Sequence, residues 1–142
     1  MIGTFCQPDA VIVDIIFLNS LPKREMICGY AEILKHSLIS DKKFFVFLKS
    51  HFKSILNLRK EIIKKTILKS CKIKRTIVEK DERESNLRKT LNYGHTFAHA
   101  FESSLGYTNR LNHGEAVLLG ILAASKFSNK ENLLPKDELR LI

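Results

Sequence analysis

Three histidines, His95, His99 and His113, fall within one short window of a 142-residue chain that holds five in all. An imidazole titrates near neutral pH and carries a nitrogen lone pair, so a cluster of them suits proton transfer or metal ligation. At about 100° per residue on an ideal helix, His95, His99 and Glu102 share one face, with Phe97, Ala98, Phe101 and Leu105 on the other. Histidines at i and i+4 occur in metal sites and equally on plain solvated faces. His113 shifts the balance toward chemistry, because it begins the next helix just ahead of Gly114 and Glu115, where a turn sets it beside the preceding one.

The same projection on an earlier segment groups Glu32, Lys35 and His36, with Cys28 and Gly29 nearby, opposite Met26, Tyr30, Ile33, Leu34 and Leu38. Two readings are open. The pair is an exposed Glu/Lys contact worth about 0.2–0.5 kcal/mol, or Glu32 is the carboxylate that joins two imidazoles in a three-ligand zinc site with an open fourth position. A third segment sets Ile62, Ile63, Ile67, Cys71, Ile73, Ile77 and Val78 on one apolar arc, with Lys74 in its middle. An unpaired buried ammonium is costly, so Lys74 either snorkels to the surface or meets an anion.

The elements that must position these residues are mostly helical. The β-branched run at residues 10–16 reads as one short buried strand or extended entry segment. Ser20 and Pro22 then start a helix to about residue 39. Ser40-Asp41 caps a second helix carrying Phe44, Phe45, Phe47 and Leu48, and a third covers residues 54–80. Asn92-Tyr93-Gly94 turns into a fourth at residues 95–105, and a fifth spans 113–126. Asp137-Glu138 opens a last one that runs into the end of the chain. The expected architecture is a mainly α, multi-helix domain over residues 1–142, with a strand or extended segment at its start.

Composition narrows the function classes. A hydrophobic fraction of 44% supports one globular core, and the net charge of +9 invites either nucleic acid or an acidic small molecule. The Phe-rich aromatics do not interleave with the basic residues, so no nucleic-acid partner is expected. Cys6, Cys28 and Cys71 are odd in number and widely spaced, which suggests neither a disulfide framework nor a structural zinc site and fits a cytoplasmic home. The apolar run at 10–18 is too short for a bilayer and follows no basic leader, so no membrane segment or signal peptide is expected. No G-x-G-x-x-G or G-x-x-x-x-G-K-[ST] loop occurs, so nothing here cradles a nucleotide phosphate.

Taken in order, Gly29-Tyr30-Ala31-Glu32-Ile33-Leu34-Lys35, Asp81-Glu82-Arg83-Glu84, the run from Arg88-Lys89-Thr90-Leu91-Asn92 through Gly94-His95-Thr96-Phe97-Ala98-His99, and His113-Gly114-Glu115-Ala116-Val117 resemble 3-dehydroquinate synthase. The resemblance begins near Gly3-Thr4-Phe5, takes in Leu21-Pro22-Lys23-Arg24-Glu25 and runs almost to the end. It implies the C-terminal, helical, metal- and substrate-binding domain of that fold, truncated at both ends. The implied reaction is the NAD-dependent conversion of 3-deoxy-arabino-heptulosonate 7-phosphate to 3-dehydroquinate and phosphate in the shikimate pathway. It makes Glu32, His95 and His113 ligands of Zn2+, or of another divalent metal such as Co2+. It makes His99, Lys35 and Glu84 catalytic, and Lys74, Arg88 and Asn92 substrate-binding.

The resemblance also implies an anionic sugar-phosphate substrate, a homodimer, and a separate N-terminal half that holds NAD, without which these residues do not turn over. Ala98, and Ser85-Asn86, stand where that family commonly has Gly, so local packing and a turn are expected to differ. Two other functions share the scaffold: a related sugar-phosphate cyclase or polyol dehydrogenase, and a non-catalytic metal-binding remnant. A polyol dehydrogenase has no need of the Lys74, Arg88 and Asn92 set, which favours the synthase.

Overall fold

The computed structural model of the chain describes residues 7–108 and 110–142, so Gly3-Thr4-Phe5 and Cys6 lie outside the described residues. The helices are α1 (Lys23–Ser40), α2 (Lys42–Leu56), α3 (Lys60–Lys80), α4 (His95–Ser104), α5 (His113–Lys130) and the short α6 (Lys136–Leu139). Single 3-10 helices form at Ile15–Ser20 and Leu87–Asn92.

Of the two forms expected at the start, a short buried strand or an extended entry segment, the strand is not formed among the described residues. A strand needs a partner for its backbone donors and acceptors. Residues 10–14 stay extended, with Val11, Ile12 and Val13 exposed, until Asp14 accepts the Ile16 N–H at 2.9 Å and turns the chain into the first 3-10 helix. Ser20 does not cap α1: its hydroxyl donates to the Phe17 carbonyl, and Pro22 takes the capping position. Asp41 caps α2 by accepting the Phe44 N–H, and its carboxylate also meets Lys69 of α3 at 2.8 Å. The third helix begins at Lys60, not at 54. Residues 54–56 close α2, and Leu58 adopts a positive φ of 52° that breaks the two helices apart.

α1 runs through the middle. On one side it meets α2 and α3, where Phe44, Leu48, Ile55, Ile63, Ile73 and Ile77 form a core capped by Tyr30, Ile33 and Leu34. On the other side lies α5, and Ala31, Ala98, Ala116, Val117 and Ile121 make a second core of smaller residues, while the Leu87–Asn92 helix rests on α1 and α3 with Leu91 against the first core. From Ala31 on, α1 is covered on both sides, and so Lys35, His36 and Ser37 are buried together with Ala31. The α3 face is also rotated from the expected arc. Ile63, Thr66, Ser70, Ile73 and Ile77 point inward while Cys71 and Lys74 are exposed, because Ser70 Oγ meets His36 Nδ1 of α1 at 2.7 Å and small residues let the helices close up.

α5 touches its neighbours without side chains between. A Cβ on Gly120 would stand 2.2 Å from the Gly94 carbonyl oxygen, and Gly94 itself has φ 83°, a left-handed turn into α4. A Cβ on Gly114 would stand 2.1 Å from Cys28 Cα of α1. α5 runs past the expected residue 126 to Lys130, and α6 is one turn.

These contacts predict opposite outcomes for two glycine substitutions. Gly114→Ala must push backbone against backbone and should destabilise by about 1–3 kcal/mol. Gly29→Ala, in α1 with nothing within 4 Å of its new Cβ, should stabilise by about 0.5–1 kcal/mol through helix propensity. Urea melts of the two variants check this, and equal effects would contradict the packing described.

Candidate metal centre and anion cavity

Gly94 starts α4 so that His95 is its first residue, and Asn112 caps α5 so that His113 is the first residue there. Glu32 lies midway along α1, one turn after Cys28, the residue that Gly114 touches. Through these placements Glu32, His95 and His113 each present a ligand atom, all within 4.8 Å of one another. His95 Nε2 is 3.8 Å from Glu32 Oε1, and the His95 and His113 ring centres are 5.5 Å apart. One carboxylate and two imidazoles suit a catalytic divalent metal such as zinc. Glu32 Oε1 is buried and lacks a hydrogen-bond partner among the described residues, the kind of orphaned acceptor a cation satisfies.

Lys35 settles the state of this corner. It is only 3% exposed, so the Glu32/Lys35 contact at 2.7 Å is no surface pair. Burial alone would raise the Glu32 carboxyl, but the Lys35 hydrogen bond and charge outweigh it and hold Glu32 below its ordinary range. Burial, and then the Lys35 charge, push the His95 imidazole below its ordinary value, which keeps it neutral with a lone pair free. His99 sits one turn beyond His95, largely exposed, with ring centres 5.9 Å apart, and it is not one of the three converging groups. Glu102 lies between His99 and His113, 3.2 Å from Nδ1 of each.

Glu32, Lys35 and His36 also edge a cavity of about 210 Å³ that the third helix and the loop after it complete. Lys74 and Arg88 both line it. Lys74 is exposed, which corrects the expectation of an ammonium at the centre of an apolar face. Asn92 and Glu84 line the same cavity and are joined there, Asn92 Nδ2 donating to Glu84 Oε1 at 2.7 Å. Of the nine residues singled out from sequence, eight fall into two adjoining groups that share Glu32, and His99 stands beside the first.

Three positioning residues escaped the sequence reading. Asp81 accepts the backbone N–H groups of Ser85, Asn86 and Arg88 at 2.8–2.9 Å, and these bonds hold its carboxyl well below the usual range. The turn bearing Glu84 and Arg88 is built on that carboxylate, where Glu84 takes a φ of 56°. Ser85 and Asn86, expected to alter this turn, supply two of its donors. Arg24 of α1 grips Glu115 of α5 in a two-pronged contact at 2.8 and 2.6 Å, while Glu115 and Asn112 form a reciprocal capping box. The available signal was Asn112 three residues ahead of Glu115.

Comparison with known proteins gives a consistent picture. The family model described as 3-dehydroquinate synthase C-terminal matches residues 29–142. The chain is 56% identical over 142 residues to the 3-dehydroquinate synthase of Pelagibacter ubique, covering 100% of this chain and 39% of that protein. It is 46% identical over 142 residues to the 3-dehydroquinate synthase of Thermodesulfovibrio yellowstonii, again covering 100% and 39%. A 2-epi-5-epi-valiolone synthase from Streptomyces hygroscopicus subsp. jinggangensis, solved with NAD+ and Zn2+ bound, is similar at a TM-score of 0.80 and 27% identity, over 90% of this chain and 36% of that one.

The Arg24–Glu115 clamp, which fixes the end of α5 that carries His113, predicts an acid dependence. Its hydrogen bonds, from Arg24 first and then from the Asn112 N–H, hold the Glu115 carboxyl down to about 2 against an ordinary 4.5. A depressed carboxyl stabilises fully above its unfolded value and loses that contribution as pH falls through the folded one. Glu115→Gln should therefore melt below the parent chain at pH 7, and the gap should close between pH 4.5 and 2. Thermal melts followed by circular dichroism across that range decide it; a gap that does not change with pH would contradict the clamp.

Proposed function

The chain belongs to the 3-dehydroquinate synthase family, and we propose that it forms the metal- and substrate-binding C-terminal domain of such a synthase. The observation that carries the reading is the convergence of Glu32, His95 and His113 from three helices, beside a cavity edged by Lys35, Lys74 and Arg88. The substrate is the anionic sugar phosphate 3-deoxy-arabino-heptulosonate 7-phosphate, which closes to 3-dehydroquinate with loss of phosphate. The chain spans between 34% and 39% of the length of the curated relatives it matches, and in this reading NAD is held by the part of the synthase that these residues do not represent. The setting is the cytoplasm, and the full enzyme is a homodimer.

Glu32, His95 and His113 hold the metal, zinc or cobalt. When bound, the ion supplies Lewis-acid polarisation of a substrate oxygen. Lys35 neutralises Glu32 and keeps further N–H donors for the substrate. Arg88 offers a planar fork to a carboxylate or phosphate, and Lys74 adds a point charge beside it. Glu84 takes an N–H of Asn92, which leaves the Asn92 carbonyl oxygen for a substrate hydroxyl. His99, exposed and close to His95, is placed to pass a proton between the substrate and water. Among the described residues no helix is long and apolar enough to cross a membrane.

A related cyclase is the second reading, favoured by the likeness to the 2-epi-5-epi-valiolone synthase. The higher identity to 3-dehydroquinate synthases across the whole chain supports the first.

Zinc content is the direct test. The parent chain should hold one equivalent after dialysis, His95→Ala and His113→Ala should hold none, and His99→Ala should keep most of it. Zinc retained equally by all three variants would remove the metal assignment. In titrations with inorganic phosphate, Lys74→Met should weaken binding about tenfold, the effect of one charged hydrogen bond, at an unchanged melting temperature. Phosphate release from the heptulosonate, with NAD present, should require the nucleotide-binding half. Turnover by residues 1–142 alone would overturn the division of labour.

A further inference from the structure

Glu102 is the carboxylate that the proposed roles leave unused. It lies on α4, one turn beyond His99, with a side chain only 12% exposed. Its two oxygens are divided between two imidazoles on different helices: Oε2 faces His99 Nδ1 and Oε1 faces His113 Nδ1, each at 3.2 Å. A carboxylate only accepts hydrogen bonds, so each contact requires the proton on Nδ1. The Nε2 nitrogen of each ring then carries the free lone pair.

We propose that Glu102 is a positioning residue for the metal centre, fixing the tautomer and ring orientation of His113 so that Nε2 is its ligand atom. This inference rests on the reading of Glu32, His95 and His113 as a metal site. The observation behind it is independent, because Glu102 is not one of the converging groups. His113 is about half exposed and stands at the first position of its helix, where packing alone leaves the ring free to turn. The buried end of Glu102 supplies the missing constraint. Partners of this kind behind a ligating imidazole contribute about 10–100-fold in metal affinity. The second oxygen extends the same control to His99, whose ring is otherwise largely in solvent.

The test uses the full chain with zinc ion as the probe, titrated against a chelator of known affinity. Glu102→Gln keeps the shape but has one acceptor oxygen where the carboxylate has two, and it should lose about tenfold in zinc affinity; Glu102→Ala should approach hundredfold. The metal-free melting temperature of Glu102→Gln should stay at the parent value, which a merely structural link between α4 and α5 would not allow. Nitrogen NMR of the metal-free parent should show His113 as the Nδ1–H tautomer, and Glu102→Gln should shift it toward Nε2–H. The affinity loss of Glu102→Ala, which leaves no acceptor at all, should persist in a His99→Ala background, since it acts through His113. Parent-like zinc affinity in Glu102→Gln, a loss that vanishes with His99→Ala, or a matching fall in metal-free stability each overturns the role of Glu102 while leaving the metal site standing. A parent chain that takes up no zinc overturns both.

Discussion

α5 meets α1 at Gly114 against Cys28 and α4 at Gly120 against Gly94, and in both places a Cβ would stand closer than any real one does. Backbone contact of this kind sets helix separations more tightly than interlocking side chains, because nothing between the helices can rotate away. The three residues of the proposed metal centre sit next to these contacts. His95 follows Gly94, His113 precedes Gly114, and Glu32 is one turn from Cys28. The small residues of the second core, Ala31, Ala98 and Ala116, extend the same close spacing beneath the site.

Charge in the site follows from that geometry. A helix buried on both sides can carry Lys35 only if the ammonium is paired, and Glu32 Oε2 pairs it. The other oxygen of Glu32 is thereby left inside without a partner, facing His95. Asp81 plays a comparable part outside the core. By gathering the N–H groups that follow it, it holds a tight turn that delivers Arg88 and Glu84 to the cavity.

The helix faces that carry the chemistry were legible because the period of a helix decides which residues share a side, and His95, His99 and Glu102 keep that side in the fold. What depended on a partner was less legible. Residues 10–16 have the composition of a strand, but composition cannot report that no second strand stands beside them among the described residues. The break between α2 and α3 rests on a positive φ at Leu58, a residue type that rarely adopts one, so the sequence reads there as continuous helix. Lys74 stood at the centre of an ideal apolar arc. The true face is centred on Thr66 and Ser70, because closeness to α1 and a hydrogen bond between Ser70 and His36 outweighed hydrophobicity. Glu115 was noticed only as a neighbour of His113, since its clamp depends on Arg24, 91 positions away.

His36 lies under the cavity as a buried imidazole bonded to Ser70, and burial followed by the Lys35 charge holds it down to about 4. It therefore adds polarity to the cavity floor without adding charge throughout the neutral range. The floor thus sets a neutral dipole, and no further charge, beside the ammonium groups of Lys35 and Lys74. The charged groups that line the cavity are Glu32, Lys35, Lys74, Glu84 and Arg88, and His36 is not one of them in that range. An imidazole of ordinary affinity in the same place would instead have switched the charge of the cavity floor at about pH 6.5.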